Sequence, residues 1–473
     1  MNKLNDLIRT SQEEMVNSLQ ECIKIKSISG QEEETLRSLE YFLNLGQGMG
    51  FKVSNVNGLG GIIEYGEGEK TIGIIVHLDV VPEGSGWKYP AYDGQIEDGK
   101  IYGRGAIDDK GPAVSALYAL KAIKDSGVEL TCKIQIIVGL DEETIWNKTP
   151  KLLGTIKEPD FSFVPDSKFP IIIAEKGLIW LEIKKDFSLE TGNKSSNNKA
   201  SNITITKIAG GNSLNIVPDY CEATLETGQD QIPKIKEKLK AFLADTKYKI
   251  DLAEGAEIKL VSHGKPAHAF SCGDGQNAIS QLILFLGQLD FKDASNIRDE
   301  QNKFISTFAA KIGMEHYGES LGLAVEDQLT GKLTVSPGYL AMDNQSVTLR
   351  LDIRFPASEN LDSMKAKVSS AFQCFKAEQN ILDSLESLSF PENDPNIQKL
   401  LHVYREYTGD REAKPLGMGG TTFSKAFKRA VAFGPTFPGM AKVEHQPDEY
   451  MEIDHLMRCT EIYALAISEL AKE

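Results

Sequence analysis

Apolar residues recur with two different periods along this chain, and the change of period divides it. Near the start Leu4, Leu7, Ile8, Met15 and Leu19 follow helical spacing, which predicts an amphipathic helix over 3–22. Residues 32–44 repeat the pattern. TIGIIV at 71–76 is a short, largely β-branched run, as expected of a strand buried on both faces. A helix is predicted over 111–127, with Pro112 near its start and Gly127 past its end. CKIQIIVGL (132–140) predicts a second buried strand and FSFV (161–164) a third. This alternation predicts an α/β domain: a mixed, mostly parallel sheet with helices on both faces.

Past residue 176 the period becomes two. LIWLEIKK, NITITKI and YCEATLET alternate like half-exposed antiparallel strands, around a run of turn-forming polar residues at 187–201. Helical stretches are predicted near 230–245, 275–289 and 360–376, and a pair or trio of strands across 332–356. After about residue 385, a helix (395–407) and a strand with glycines (430–434) return to the first pattern. The predicted organisation is a discontinuous catalytic domain, 1–175 with 385–473, and an inserted α+β lid domain, 176–384.

Composition narrows the function. The 473 residues carry 52 Lys+Arg against 68 Asp+Glu, a net charge of -16. That charge opposes a nucleic-acid backbone and an anionic membrane surface. The six cysteines are scattered and form no C-x-x-C, so neither a disulfide framework nor a zinc–cysteine site is expected. The start, MNKLNDLIRTSQEE, lacks the apolar core of a signal peptide, and a cytoplasmic location is expected.

The chemistry collects at predicted strand ends, where open α/β sheets bind their ligands. His77-Leu78-Asp79 follows the first strand, Asp141-Glu142-Glu143 the second, and Asp166 the third. The loop GRGAIDDKG (103–111) adds the adjacent Asp108 and Asp109. Alone, Asp109 before Gly-Pro reads as a helix N-cap. Together, however, these carboxylates would repel one another and raise some of their pKa values, unless cations relieve the crowding. Histidine with carboxylates suits zinc or manganese. Two ions side by side need a bridging carboxylate, and one aspartate of the 108–109 pair could offer an oxygen to each.

The motifs VHLDVVP, GRGAIDDKG, GLDEET, PDSKFP-IIIAEKG, GGNSLNIVP, GKPAHA, GMGGTTFSK and EHQPDE, in this order, resemble the co-catalytic zinc exopeptidases. That family includes carnosinase, acetylornithine deacetylase and succinyl-diaminopimelate desuccinylase. PDSKFPIIIAEKG and the long insertion look most like its dipeptidase V branch. The resemblance implies a dipeptidase acting on short peptides with a free C-terminal carboxylate. An N-acyl amino-acid deacylase would use the same metals and base. An inactive peptide-binding relative would need a broken ligand set.

By position, the resemblance implies two divalent ions, zinc or alternatively manganese. His77 and Asp166 would hold one, Glu143 and His445 the other, and Asp108 would bridge, with a cis bond to Asp109. Asp79 would accept the imidazole N–H of His77. Glu142 would be the general base, taking a proton from a metal-bridging water. From the insertion, His268 would stabilise the oxyanion, Arg354 would grip the substrate carboxylate and Asn215 would contact the substrate. Gly419 would offer backbone N–H groups near that carboxylate. The sequence departs from the branch at Thr421, where a glycine is usual, and at Lys425, where an arginine is usual. The insertion of about 210 residues is long enough to replace a partner subunit, so a monomer is expected.

Overall fold

Thr71–His77 is buried at every residue, and the side chains of Ile72, Ile74, Ile75 and Val76 are almost wholly out of water. Each such side chain contributes about 1.5–3 kcal/mol relative to an exposed one. A strand buried on both faces must lie inside a sheet, and this one does. It pairs in parallel with Lys133–Gly139 on one side and Phe161–Val164 on the other. Ala430–Ala432 continues the parallel set beside Phe161–Val164. Lys52–Asn55 and Gly61–Tyr65 extend one edge antiparallel, and Ile172–Glu175 adds an antiparallel neighbour at the other. Among the described residues the sheet has nine strands.

The computed structural model describes residues 2–144, 146–187, 203–255, 257–289 and 296–472. The polar run expected at 187–201 lies almost entirely outside them. Two compact units are present, residues 1–174 with 388–473 and residues 175–387.

In the first unit, Lys110–Ser126 packs against the sheet strand Thr71–His77 and against the last helix, Ile453–Leu470. Gly127 ends the former in the left-handed region with φ 76°, where a side chain would be strained. The helix expected over 3–22 is two, Asn2–Thr10 and Gln12–Lys24, parted at Ser11. Among the described residues of the second unit, eight strands form one antiparallel sheet running from Lys249–Glu254 to Glu378–Leu385. Helices Ile232–Ala244, Ala278–Leu286 and Leu361–Phe372 lie close to the expected positions. Residues 332–356 give a pair of long strands, Thr334–Met342 and Ser346–Phe355.

Candidate metal centre

The parallel strands end where the first unit's carboxylates gather. His77 closes its strand opposite Gly139, so the sheet ladder fixes its backbone. Asp166 lies two residues beyond Phe161–Val164, and Glu142 and Glu143 follow Lys133–Gly139. Asp108 belongs to the loop before Lys110–Ser126, and its bond to Asp109 is cis, as the resemblance implied. The loop's path depends on Gly105, whose φ is 85° and where a Cβ would come within 2.9 Å of Val80 Cγ1.

Two groups of donor atoms result, each within 4.8 Å of one another: His77, Glu142 and Asp166, and Asp108, Glu143 and His445. Asp108 links the two groups. Its Oδ1 lies 3.0 Å from His77 Nε2 and its Oδ2 lies 3.1 Å from His445 Nε2. His445 Nε2 is also 2.9 Å from Glu143 Oε1, and His77 Nε2 is 3.8 Å from Asp166 Oδ2. The five residues expected as ligands therefore share one site, with a single carboxylate turned to both histidines. Glu142, expected only as a base, sits in the first donor group.

Burial disfavours the ionised forms of Glu142 and Asp166, and their neighbours' charges add to it, holding both well above the ordinary carboxylate range. Asp108 is held well below: burial alone would raise it, but hydrogen bonds from His445 and His77 outweigh burial. Two imidazoles and a crowd of buried carboxylates form the donor set that a pair of divalent cations requires, so these residues fit such ions.

Asp79 meets His77 through both its backbone and its carboxylate. The nearest partner of His77 Nδ1 is the backbone carbonyl of Asp79 at 2.9 Å, while the carboxylate Oδ1 is 3.5 Å away. The wholly buried carboxylate accepts the N–H of Glu142 at 3.2 Å, the N–H of Glu143 at 3.2 Å and the hydroxyl of Ser29 at 2.6 Å. It thus holds the loop that carries both glutamates. Ser29 escaped sequence reading because nothing in KSISG marks it. Asp109, read alone as an N-cap, makes no side-chain cap bond; its Oδ2 accepts the N–H of His77 at 3.1 Å. Phe423 also went unmarked: it lies edge-on to His77 and beside Trp146, whose indole N–H donates to the Glu142 carbonyl.

Within the second unit, Asn215 and His268 come together, since the carbonyl of Asn215 accepts the N–H of Ala269. His268 Nδ1 accepts the N–H of Phe270 at 3.2 Å. Arg354 is 4% exposed, and its Nε and Nη2 donate to the Asp352 carboxylate at 2.9–3.2 Å. In the first unit, Gly419 follows the short strand Leu416–Met418. Nearby, Lys425 Nζ lies 3.4 Å from Thr421 Oγ1, so the two departures from the branch are neighbours.

Residues 73–469 match Peptidase family M20/M25/M40, and this chain belongs to that family. It is 34% identical to a Bacillus subtilis (strain 168) protein named "Putative dipeptidase YtjP", over 100% of both chains. It is 32% identical to the Beta-Ala-Xaa dipeptidase of Lactobacillus delbrueckii subsp. lactis, over 99% of this chain and 98% of that one. Human carnosine dipeptidase 1 shares the fold, with a TM-score of 0.59 at 17% identity over 99% of this chain and 98% of that one.

Proposed function

We propose that this protein is a dinuclear metal-dependent dipeptidase that hydrolyses short peptides with a free C-terminal carboxylate. The observation that carries the reading is Asp108 turned to both His77 and His445, with Glu142 in the adjoining group. The dipeptidase names of full-length relatives support it. His77 and Asp166 would hold one ion and Glu143 and His445 the other, with Asp108 shared. When bound, two zinc or manganese ions would polarise the scissile carbonyl and lower the pKa of water.

The chain's own residues supply the proton chemistry. Glu142 takes a proton from the attacking water and delivers it to the leaving amine. Burial first, and then the charges of Glu143 and Asp108, keep its carboxyl above the usual range, which suits a group that must both accept and return a proton. Trp146 and Phe423 give that end of the site an apolar wall. His268, Asn215, Arg354 and Gly419 are assigned to the substrate, and the active form to a single chain.

The test is hydrolysis of Ala-Ala, β-Ala-His, acetyl-ornithine and a tripeptide after chelation and metal re-addition. Metal-dependent cleavage of the dipeptides is expected. Preference for acetyl-ornithine would make the protein a deacylase, and undiminished activity in a metal-free sample would overturn the reading.

A further inference from the structure

His77 is anchored by a sheet ladder, and Asp166 lies two residues past a strand of the same sheet, but Asp108 and His445 sit on loops. His445 itself is in the left-handed region, with φ 62°, a conformation that an ordinary side chain adopts only when its surroundings impose it. What fixes these two loops against each other is a pair of residues within motifs that carry no other role, Arg104 of GRGAIDDKG and Glu449 of EHQPDE.

Both side chains are buried, 2% and 0% exposed, and Arg104 Nη1 donates to Glu449 Oε2 at 2.5 Å. The other oxygen, Glu449 Oε1, accepts the N–H of Ile107 at 3.1 Å and of Asp108 at 3.3 Å. The backbone carbonyl of Glu449 accepts the N–H of Gly103 at 2.8 Å. One residue, four beyond His445, thus grips both the start of the Asp108 loop and Asp108 itself. Arg104 extends the grip: Nη1 faces the Gln446 carbonyl at 3.5 Å, and Nη2 faces the Pro82 and Glu83 carbonyls at 3.4 and 3.3 Å. Its guanidinium also lies over the Trp87 ring. A planar fork can meet these acceptors together, where an ammonium could not.

We propose that the Arg104–Glu449 pair is a positioning element that sets Asp108 against His445, and so governs the Asp108–Glu143–His445 group in preference to the His77–Asp166 side. The inference rests on the two-ion reading above. Its physical basis is that the sheet already positions His77 and supports Asp166, whereas the distance between Oδ2 of Asp108 and His445 depends on how two loops meet. Bulk stability is a poor explanation for the pair, because the cost of desolvating two buried charges offsets most of their attraction.

The experiment is a titration of the metal-free full-length protein with zinc against a chromophoric chelator, fitted to two sites, with the melting temperature of the metal-free form recorded in parallel. The test variant is Arg104→Met with Glu449→Met, which leaves no unpaired buried charge. Wild type should bind two ions. The double variant should lose about tenfold or more at one site, the range for residues that orient ligands, and stay within about threefold at the other. In a His445→Ala background the double substitution should cause no further loss. If the double variant does not fold, Arg104→Lys replaces it, and a loss of at least about threefold confined to one site is expected, since the charge remains and only the fork is gone. Equal loss at both sites, or two unchanged sites, overturns the inference. A wild-type protein that binds fewer than two ions overturns the two-ion reading and this inference with it.

Discussion

The Oδ2 of Asp108 lies 3.1 Å from Nε2 of His445, although one residue precedes the long helix Lys110–Ser126 and the other stands near the end of the chain. The contact closes the site between two segments that the inserted unit separates in sequence. It follows that His445→Ala should lower metal content from two ions toward one and remove most dipeptidase activity. Metal analysis after gel filtration checks this, and retention of two tightly bound ions would remove His445 from the ligand set. Zinc added to the metal-free wild type should raise the melting temperature. A ligand at about 100 times its Kd stabilises by about 2.7 kcal/mol per site.

Glu142→Ala separates the roles of base and ligand. If Glu142 moves protons only, turnover should fall about 10²–10⁴-fold while two ions remain bound. The distinction matters because Glu142 lies within the donor group of His77 and Asp166. A parallel loss of metal and activity would make it a ligand. Measuring kcat and metal content on one preparation decides the point.

Asp79 offers a test of the glutamate loop. Asp79→Ala would leave the part-buried N–H groups of Glu142 and Glu143 without their acceptor, at up to about 3 kcal/mol for each unsatisfied group. Both the melting temperature and kcat should fall. Ser29→Ala removes one hydroxyl donor to the same carboxylate and should cost less, about 1.5–3 kcal/mol, with KM unchanged. A Ser29→Ala protein with wild-type stability would show that the carboxylate is held without it.

Much of this site was legible because its chemistry stands next to its strands. TIGIIV, CKIQIIVGL and FSFV each end within a few residues of a functional side chain, so finding the strands placed His77, Glu142, Glu143 and Asp166 at one edge. His445 could not be found in this way. No regular element precedes it closely, and only the family motif pointed to it. The H-x-D spacing placed Asp79 beside the His77 ring, but it does not show that the same carboxylate also accepts the N–H groups of Glu142 and Glu143. The helix Ile453–Leu470 carries a helical pattern that went unread: Asp454, Arg458, Glu461, Leu465 and Ser468 line its less buried face, and Leu456, Cys459, Tyr463 and Ile467 are buried opposite. Arg104 and Glu449 were visible as residues, but their partnership is a tertiary fact.

The acid limit of stability should trace in part to His455. Its ring is 2% exposed, its Nε2 lies 2.9 Å from the Pro435 carbonyl, and its Nδ1 has no hydrogen-bond partner. Burial first, and the charge of Arg458 as well, hold its pKa below the ordinary histidine value; the Pro435 carbonyl and the acidic Glu452 and Asp454 work the other way and do not prevail. The folded protein therefore binds this proton less readily than the unfolded chain does. Stability from the neutral ring is fully present above the unfolded pKa, about 6.5, and declines as pH falls below it toward the folded pKa. Each unit of depression corresponds to about 1.4 kcal/mol. His455→Gln keeps a donor for the Pro435 carbonyl but cannot titrate. Its melting temperature should fall less than that of the wild type between pH 7 and pH 5, measured on metal-free protein so that ligand protonation does not enter. Parallel curves for the two proteins over that interval would show that His455 is not among the groups that set the acid limit.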